Sequence, residues 1–332
     1  MLPGVVQGQG CMEATSEEGV SVVGFFQPQF EYNEATDEAG FTFNRARVGL
    51  IGNIPYDVSY YLFLEFSAFK TNAPYLLDGF ITYSRLAPYA SFSMGQFKSP
   101  FSLELNTSCA GLHTINRSLV VNQLASPGRD IGLMLFGDYK KMISYSFALM
   151  NGTGIGNKDD NKGKDIVGRI VMSPMDFLNV GGSFRFGKSP PEAVDVEDED
   201  ERTRYGGELE IKYKDFLVQG EYIYGEDVGA YTVGGGGCGG DAGELVQGTV
   251  ERSGLFIQGM YMTSWNLQPV IKYESWDPDL DTEKDLEQIT TFGVNYFLND
   301  WTRLQINYLY CAEEDGKEVD NDQILIQVQA KF

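Results

Sequence analysis

Histidine is almost missing from this chain: His113 is the only one in 332 residues. A histidine-based triad therefore has a single candidate, and that residue reads first as a packed or polar loop side chain. Cysteine is scarce too. Cys11, Cys109, Cys238 and Cys311 form no CxxC pair, so thiolate metal clusters and thioredoxin-like chemistry have no support. GxSxG, a phosphate loop and metal-ligand spacings are absent. Carboxylates are plentiful, but nothing singles out a pair for acid/base work. No catalytic, cofactor-binding or metal residue is assigned, and an enzyme is not expected.

No apolar run approaches the length of a membrane helix, and amphipathic helical periodicity is confined to a turn or two between Cys109 and Ala125. The start, Met1-Leu2-Pro3-Gly4, has neither the basic residues nor the apolar stretch of a signal peptide, so the numbering is expected to begin at or near the mature start. Positive charge is also short. Lys and Arg number 25 against 47 Asp and Glu, a net charge of -22 that argues against nucleic acid as a partner.

What is present is strand periodicity from about Val20 to the end. In the last segment Ile324, Ile326, Val328, Ala330 and Phe332 share one face, while Gln323, Gln327, Gln329 and Lys331 share the other. Similar alternation recurs about sixteen times, with connections that run short, long, short, long. A mean hydropathy of -0.22 is compatible with a membrane barrel, because lumen-facing polar residues cancel lipid-facing apolar ones. Three features favour a barrel over a two-sheet sandwich. Tyrosines gather toward strand ends on the apolar faces, among them Tyr60, Tyr83, Tyr213, Tyr224, Tyr308 and Tyr310, as interfacial girdles do. Charges of both signs occupy the opposite faces, which suits a wet lumen. Greek-key sandwiches have no reason to alternate connection lengths.

The expectation is an all-β fold: a 16-stranded antiparallel transmembrane β-barrel in the bacterial outer membrane, in contact with lipid and lipopolysaccharide. Residues 1–17 read as a periplasmic tail and 18–332 as a single barrel. The stretch from Gly95 to Asp130 breaks the alternation. Too apolar to be disordered, with Phe101, Leu103, Leu112, Ile115 and Leu124 among others, it must bury itself, and a barrel lumen offers the space. Residues 99–128 are therefore expected to fold inward as a constriction loop. Arg45, Arg47, Glu65, Asp78, Arg169 and Arg185 are the wall residues expected to meet it, with Lys98 and Arg117 beside or within it. Basic groups there would attract anions, since rings of lumen charge set ion selectivity. The plainer alternative is that each Arg pairs with Glu65, Asp78 or Asp130 and merely holds the insertion.

The run Asp195 to Glu201 concentrates negative charge and reads as a solvated, repulsive loop. Its sharper reading is a divalent-cation bridge to lipopolysaccharide or to a partner. Cys238 and Cys311 would sit near one mouth, where a bridge is geometrically possible.

Several motifs carry a family resemblance. Met94 to Glu104, MGQFKSPFSLE, and Phe43 to Gly49, FNRARVG, are similar to the strand-five-to-third-loop and strand-two motifs of the phosphate-selective porin O and P family. Thr114 to Ser118, Gly293 to Asn299 and Leu304 to Tyr308 add matches in the same order. The resemblance implies a sixteen-stranded trimeric outer-membrane porin whose third loop makes the constriction, with anion-binding roles for Arg45, Arg47 and Arg117. The family's arginine ladder has no counterpart here, so a general or weakly selective porin for small ions or solutes is expected over a dedicated phosphate channel. The competing expectation is a structural barrel that sheathes or anchors a partner protein, such as an electron conduit or a surface assembly.

Overall fold

Strand β13 (Leu267–Asp277) contains the logic of the whole molecule. Gln268, Val270, Lys272, Glu274 and Trp276 are buried, while the intervening Pro269, Ile271 and Tyr273 are exposed. A buried lysine and glutamate beside an isoleucine 53% exposed invert the soluble arrangement. The inversion is satisfied if the exposed row faces hydrocarbon and the polar row faces a lumen.

The computed structural model describes residues 19–67, 73–159, 161–189, 200–233, 244–313 and 320–332. Its strands are β1 (Ser21–Asn33), β2 (Glu38–Ile54), β3 (Val58–Glu65), β4 (Tyr75–Leu86), β5 (Ala90–Lys98), β6 (Arg129–Tyr139), β7 (Ile143–Met150) and β8 (Asp165–Met175). The second half continues with β9 (Leu178–Ser189), β10 (Asp200–Tyr213), β11 (Phe216–Val233) and β12 (Glu244–Tyr261). After β13 come β14 (Glu287–Phe297), β15 (Thr302–Glu313) and β16 (Gln323–Lys331). All sixteen pair antiparallel with their sequence neighbours, and β1 seals against β16, so the sheet is a closed barrel. Closure leaves no unpaired edge, which a strand in lipid requires. Ile81, Met94, Leu133, Ile257 and Phe292 all lie more than half exposed on its outside.

The short turns collect at one end. Tyr56 and Asp57 (φ 70 and 63) and Lys140 and Lys141 (φ 53 and 57) place consecutive residues in the left-handed region, as twist-matched two-residue hairpin turns require. Sequence alternation starts β10 at Arg204, ends β11 at Glu226 and starts β12 near Val250. The strands instead reach Asp200, Val233 and Glu244. Ladder pairing needs only extended backbone, and toward the long loops the apolar alternation that marks a membrane span stops before the pairing does. The acidic run as far as Glu199 and Cys238 lie outside the described residues, as do residues 1–17.

Residues 99–128 leave the wall at Lys98 and rejoin it at Arg129, which are register partners on β5 and β6. Between these points the chain forms α1 (Leu103–Asn106), a 3-10 turn (Cys109–Gly111) and α2 (Leu119–Leu124). Arg45 on β2 donates to Ile115 O at 3.4 Å, and Arg185 on β9 donates to Ala125 O at 3.3 Å. In the ring of sixteen, β2 and β9 stand seven strands apart, nearly opposite. Only a segment inside the barrel can reach both. Phe101, Leu105, Val120, Val121 and Leu124 pack with Phe256, Ile223 and Trp276 of the wall in one buried cluster. Such side chains contribute roughly 1.5–3 kcal/mol each on burial, against roughly 1–2 kcal/mol per residue for ordering the backbone. The insertion therefore also needs its polar anchors.

Candidate pore constriction

Strand parity sends Arg45 and Arg47 into the lumen side by side, and both are buried. Their situations differ. Arg47 faces its register partner Glu65 on β3, with Nε 2.5 Å from Oε2. Glu65 also accepts from Ala46 N at 2.9 Å and Ser67 Oγ at 2.7 Å. Arg45 has no carboxylate within salt-bridge distance among the described residues; it donates to Gln27 Oε1 at 3.0 Å and to Ile115 O. Arg117, in the insertion, likewise has no carboxylate partner among the described residues; it donates to Glu104 O at 3.0 Å, Leu105 O at 3.3 Å, Thr107 O at 3.0 Å and Cys109 Sγ at 3.3 Å. Lys98 donates to Leu105 O and Thr107 O, both at 3.0 Å.

The other expected site residues are paired or clamped. Asp78 takes both forks of Arg129 at 2.9 and 3.1 Å. Arg169 grips Glu208 of β10 at 2.9 and 2.6 Å. Arg185 lies 3.7 Å from Asp165 and donates to Ala125 O, Ser126 O, Pro127 O and Ser99 Oγ. These three arginines act as braces. Asp130 accepts instead from the backbone of Ile131 and Gly152.

Sequence reasoning missed four participants. Lys272 bridges Glu104 of the insertion at 2.8 Å and Glu274 at 3.1 Å. Glu221 on β11 accepts from Ser102 Oγ at 2.9 Å and Leu103 N at 3.1 Å, anchoring the start of α1. Arg303 on β15, 4% exposed, donates to Gln329 at 3.1 Å and has no carboxylate partner among the described residues. Cys109 is a free thiol that accepts from Arg47 Nη1 at 3.1 Å as well as from Arg117. Parity marks the wall residues as inward, but nothing in the sequence says which inward residues the insertion reaches.

Cations dominate the surroundings of Cys109. Burial pushes the Cys109 thiol up, yet the charges of Arg45, Arg47, Arg117 and Lys98 outweigh it and hold the thiol well below its ordinary range. Burial lowers the pKa of His113, whose Nδ1 lies 3.2 Å from Gln268 Oε1, so it packs as a neutral ring. Cys311 is disulfide-bonded.

Two clefts flank the insertion. Toward the long loops, Arg45, Arg117, Asn116 and Glu274 line one of about 350 Å³. Toward the short turns, Arg47, Lys98, Cys109 and Arg129 line another of about 420 Å³. Arg45, Arg117 and Glu274 thus share one water-accessible cleft, and Arg47, Lys98 and Cys109 the other.

Solved porin structures share this architecture. An anion-selective porin from Comamonas acidovorans superimposes with a TM-score of 0.72 at 12% identity, covering 95% of this chain and 100% of that one. The outer-membrane protein OmpT of Vibrio cholerae, in its trimer form, gives 0.67 at 12% identity over 95% and 99%. The outer-membrane channel DcaP of Acinetobacter baumannii gives 0.66 at 13% identity over 97% and 99%. No match was found among curated protein sequences. The model of the family described as "Phosphate-selective porin O and P" matches residues 21–332, and with the closed sixteen-stranded barrel this establishes that the chain belongs to that family of bacterial outer-membrane porins.

Proposed function

We propose that this porin, a channel for passive diffusion of small hydrophilic solutes, prefers anions at a constriction formed by residues 99–128. Arg45, Arg117 and Lys98 supply the attraction, with Arg303 behind them. Arg47 and Arg185 serve chiefly to hold the insertion, through Cys109 and residues 125–127, while the Arg169–Glu208 and Arg129–Asp78 pairs tie wall strands to one another. The observation that carries this reading is the lack of a described carboxylate within ion-pair distance of Arg45, Arg117 or Lys98 in a chain of net charge -22. The acidic surplus elsewhere makes the site's own charges decisive. The anion-selective porin with the same fold points the same way, and the trimeric OmpT structure supports a homotrimer.

Two unit charges 4 Å apart interact by about 1 kcal/mol even at the dielectric of water. Removing two constriction cations therefore costs a passing anion about 2 kcal/mol. Planar-bilayer recording of Arg45→Gln/Arg117→Gln in a salt gradient tests this. The anion-to-cation permeability ratio is expected to fall by at least about tenfold; an unchanged reversal potential overturns the assignment.

A further inference from the structure

Lumen-facing positions of a porin are normally polar. On one arc of this wall they are aromatic. Phe25 on β1, Tyr61 and Phe63 on β3 and Phe80 on β4 all point inward, as the parity of Gln27, Glu65 and Thr82 on the same strands requires. The rings join into a row. Phe25 and Phe63 have centroids 6.2 Å apart, Phe63 stacks on Tyr61 at 5.4 Å and 26°, and Tyr61 meets Phe80 at 5.4 Å. β2 runs between them and makes room: a Cβ on Gly49 would stand 2.3 Å from Phe63 Cδ2.

Part of this row has a packing role. Phe25 and Phe63 are each 6% exposed and seat Cys109 of the insertion. Tyr61 and Phe80 are only partly buried, and both line the cleft of about 420 Å³ on the short-turn side. Lys98 lines the same cleft. Its ammonium has three N–H groups; two go to Leu105 O and Thr107 O. The third has neither an acceptor nor a carboxylate within ion-pair distance among the described residues. Arg129 and Arg47 in that cleft are matched by Asp78 and Glu65.

We propose that this cleft binds planar aromatic monocarboxylates of the benzoate class on their way through the pore. The carboxylate takes the remaining Lys98 N–H, and the ring lies offset against Tyr61 and Phe80, the geometry aromatic pairs prefer. An inorganic oxyanion gains nothing from such a wall. The inference rests on the anion-conducting reading above and adds a solute class to it.

Calorimetric titration of the full barrel in detergent tests it without needing current. Benzoate is expected to bind at least about tenfold more tightly than acetate. Tyr61→Leu/Phe80→Leu, which keeps bulk and loses the rings, is expected to bring that ratio to near one. Lys98→Gln is expected to weaken both ligands. Equal affinities in the unaltered barrel, or a ratio that survives loss of both rings, overturns the proposal. Potassium chloride current through the same preparations reads the channel separately. A barrel that conducts with anion preference yet does not discriminate benzoate from acetate sinks this inference alone. One that is silent but binds benzoate sinks the conduction reading and supports the site.

Discussion

Replacing Lys272 with Met should loosen the insertion while leaving the barrel standing. The ammonium is fully buried, 2.8 Å from Glu104 Oε1 and 3.1 Å from Glu274 Oε1, and lies 5.1 Å from the Phe256 ring centre. Those two carboxylates also hold the start of α2: Glu104 Oε2 accepts from Ser118 N and Oγ, both at 2.6 Å, and Glu274 Oε2 from Leu119 N at 2.7 Å. One cation thus balances two buried acids that grip the same turn. Methionine keeps most of the volume and removes the charge. Breaking a buried ion pair from one side costs about 3–5 kcal/mol. The ladder hydrogen bonds of the wall are untouched, so the cost falls on the local opening of residues 99–128. At about 1.4 kcal/mol per tenfold, the open form should gain at least about a hundredfold. Single-channel recording should then show new current steps and raised open-channel noise, and limited proteolysis should nick the insertion. Heat resistance of the barrel on electrophoresis should persist. Adding Glu274→Gln removes one of the two stranded charges and should recover part of the quiet, protected state. Unchanged noise and protease resistance in Lys272→Met would refute the reasoning.

Cys109 offers a probe of the local field. Because the surrounding cations hold its thiol well below the ordinary range, it ionises at a lower pH than a free thiol. Its reaction with an anionic methanethiosulfonate should therefore level off at a lower pH than that of a free thiol, and should outpace a cationic analogue; Cys109→Ser supplies the background. A rate that rises with pH in step with a free thiol would mark an unperturbed group. Gly49→Ala should destabilise the detergent-solubilised barrel by about 1–3 kcal/mol, since the added methyl would meet Leu62 O at 2.6 Å as well as the Phe63 ring. An unaltered unfolding temperature would contradict that packing.

Parity makes much of this molecule legible. The Ile324 to Phe332 row announces its lipid face, and the spacing of Arg45 and Arg47 alone places both in the lumen. All six expected wall residues point inward, because period-two alternation decides that strand by strand. What alternation cannot carry is contact across the barrel. Lys272 meets Glu104 at a separation of 168 residues. Glu221 meets Ser102 at 119. Both pairings depend on where a mixed-composition insertion settles inside a closed ring. The same gap separates the arginines that brace from those left unmatched: Arg45 and Arg47 are two residues apart on one strand, yet only Arg47 faces a carboxylate across the ladder. Strand ends above the membrane escape alternation for another reason, since pairing of β11 with β12 continues through Val233 and Glu244, and backbone pairing sets no condition on side-chain type.

The most direct test of the insertion as the element that sets the aperture is single-channel conductance after residues 103–124 are replaced by a short Gly/Ser linker. A segment that reaches from Arg45 to Arg185 lies across the lumen, so conductance should rise several-fold, with selectivity approaching that of bulk solution. A conductance equal to that of the complete chain would contradict the account.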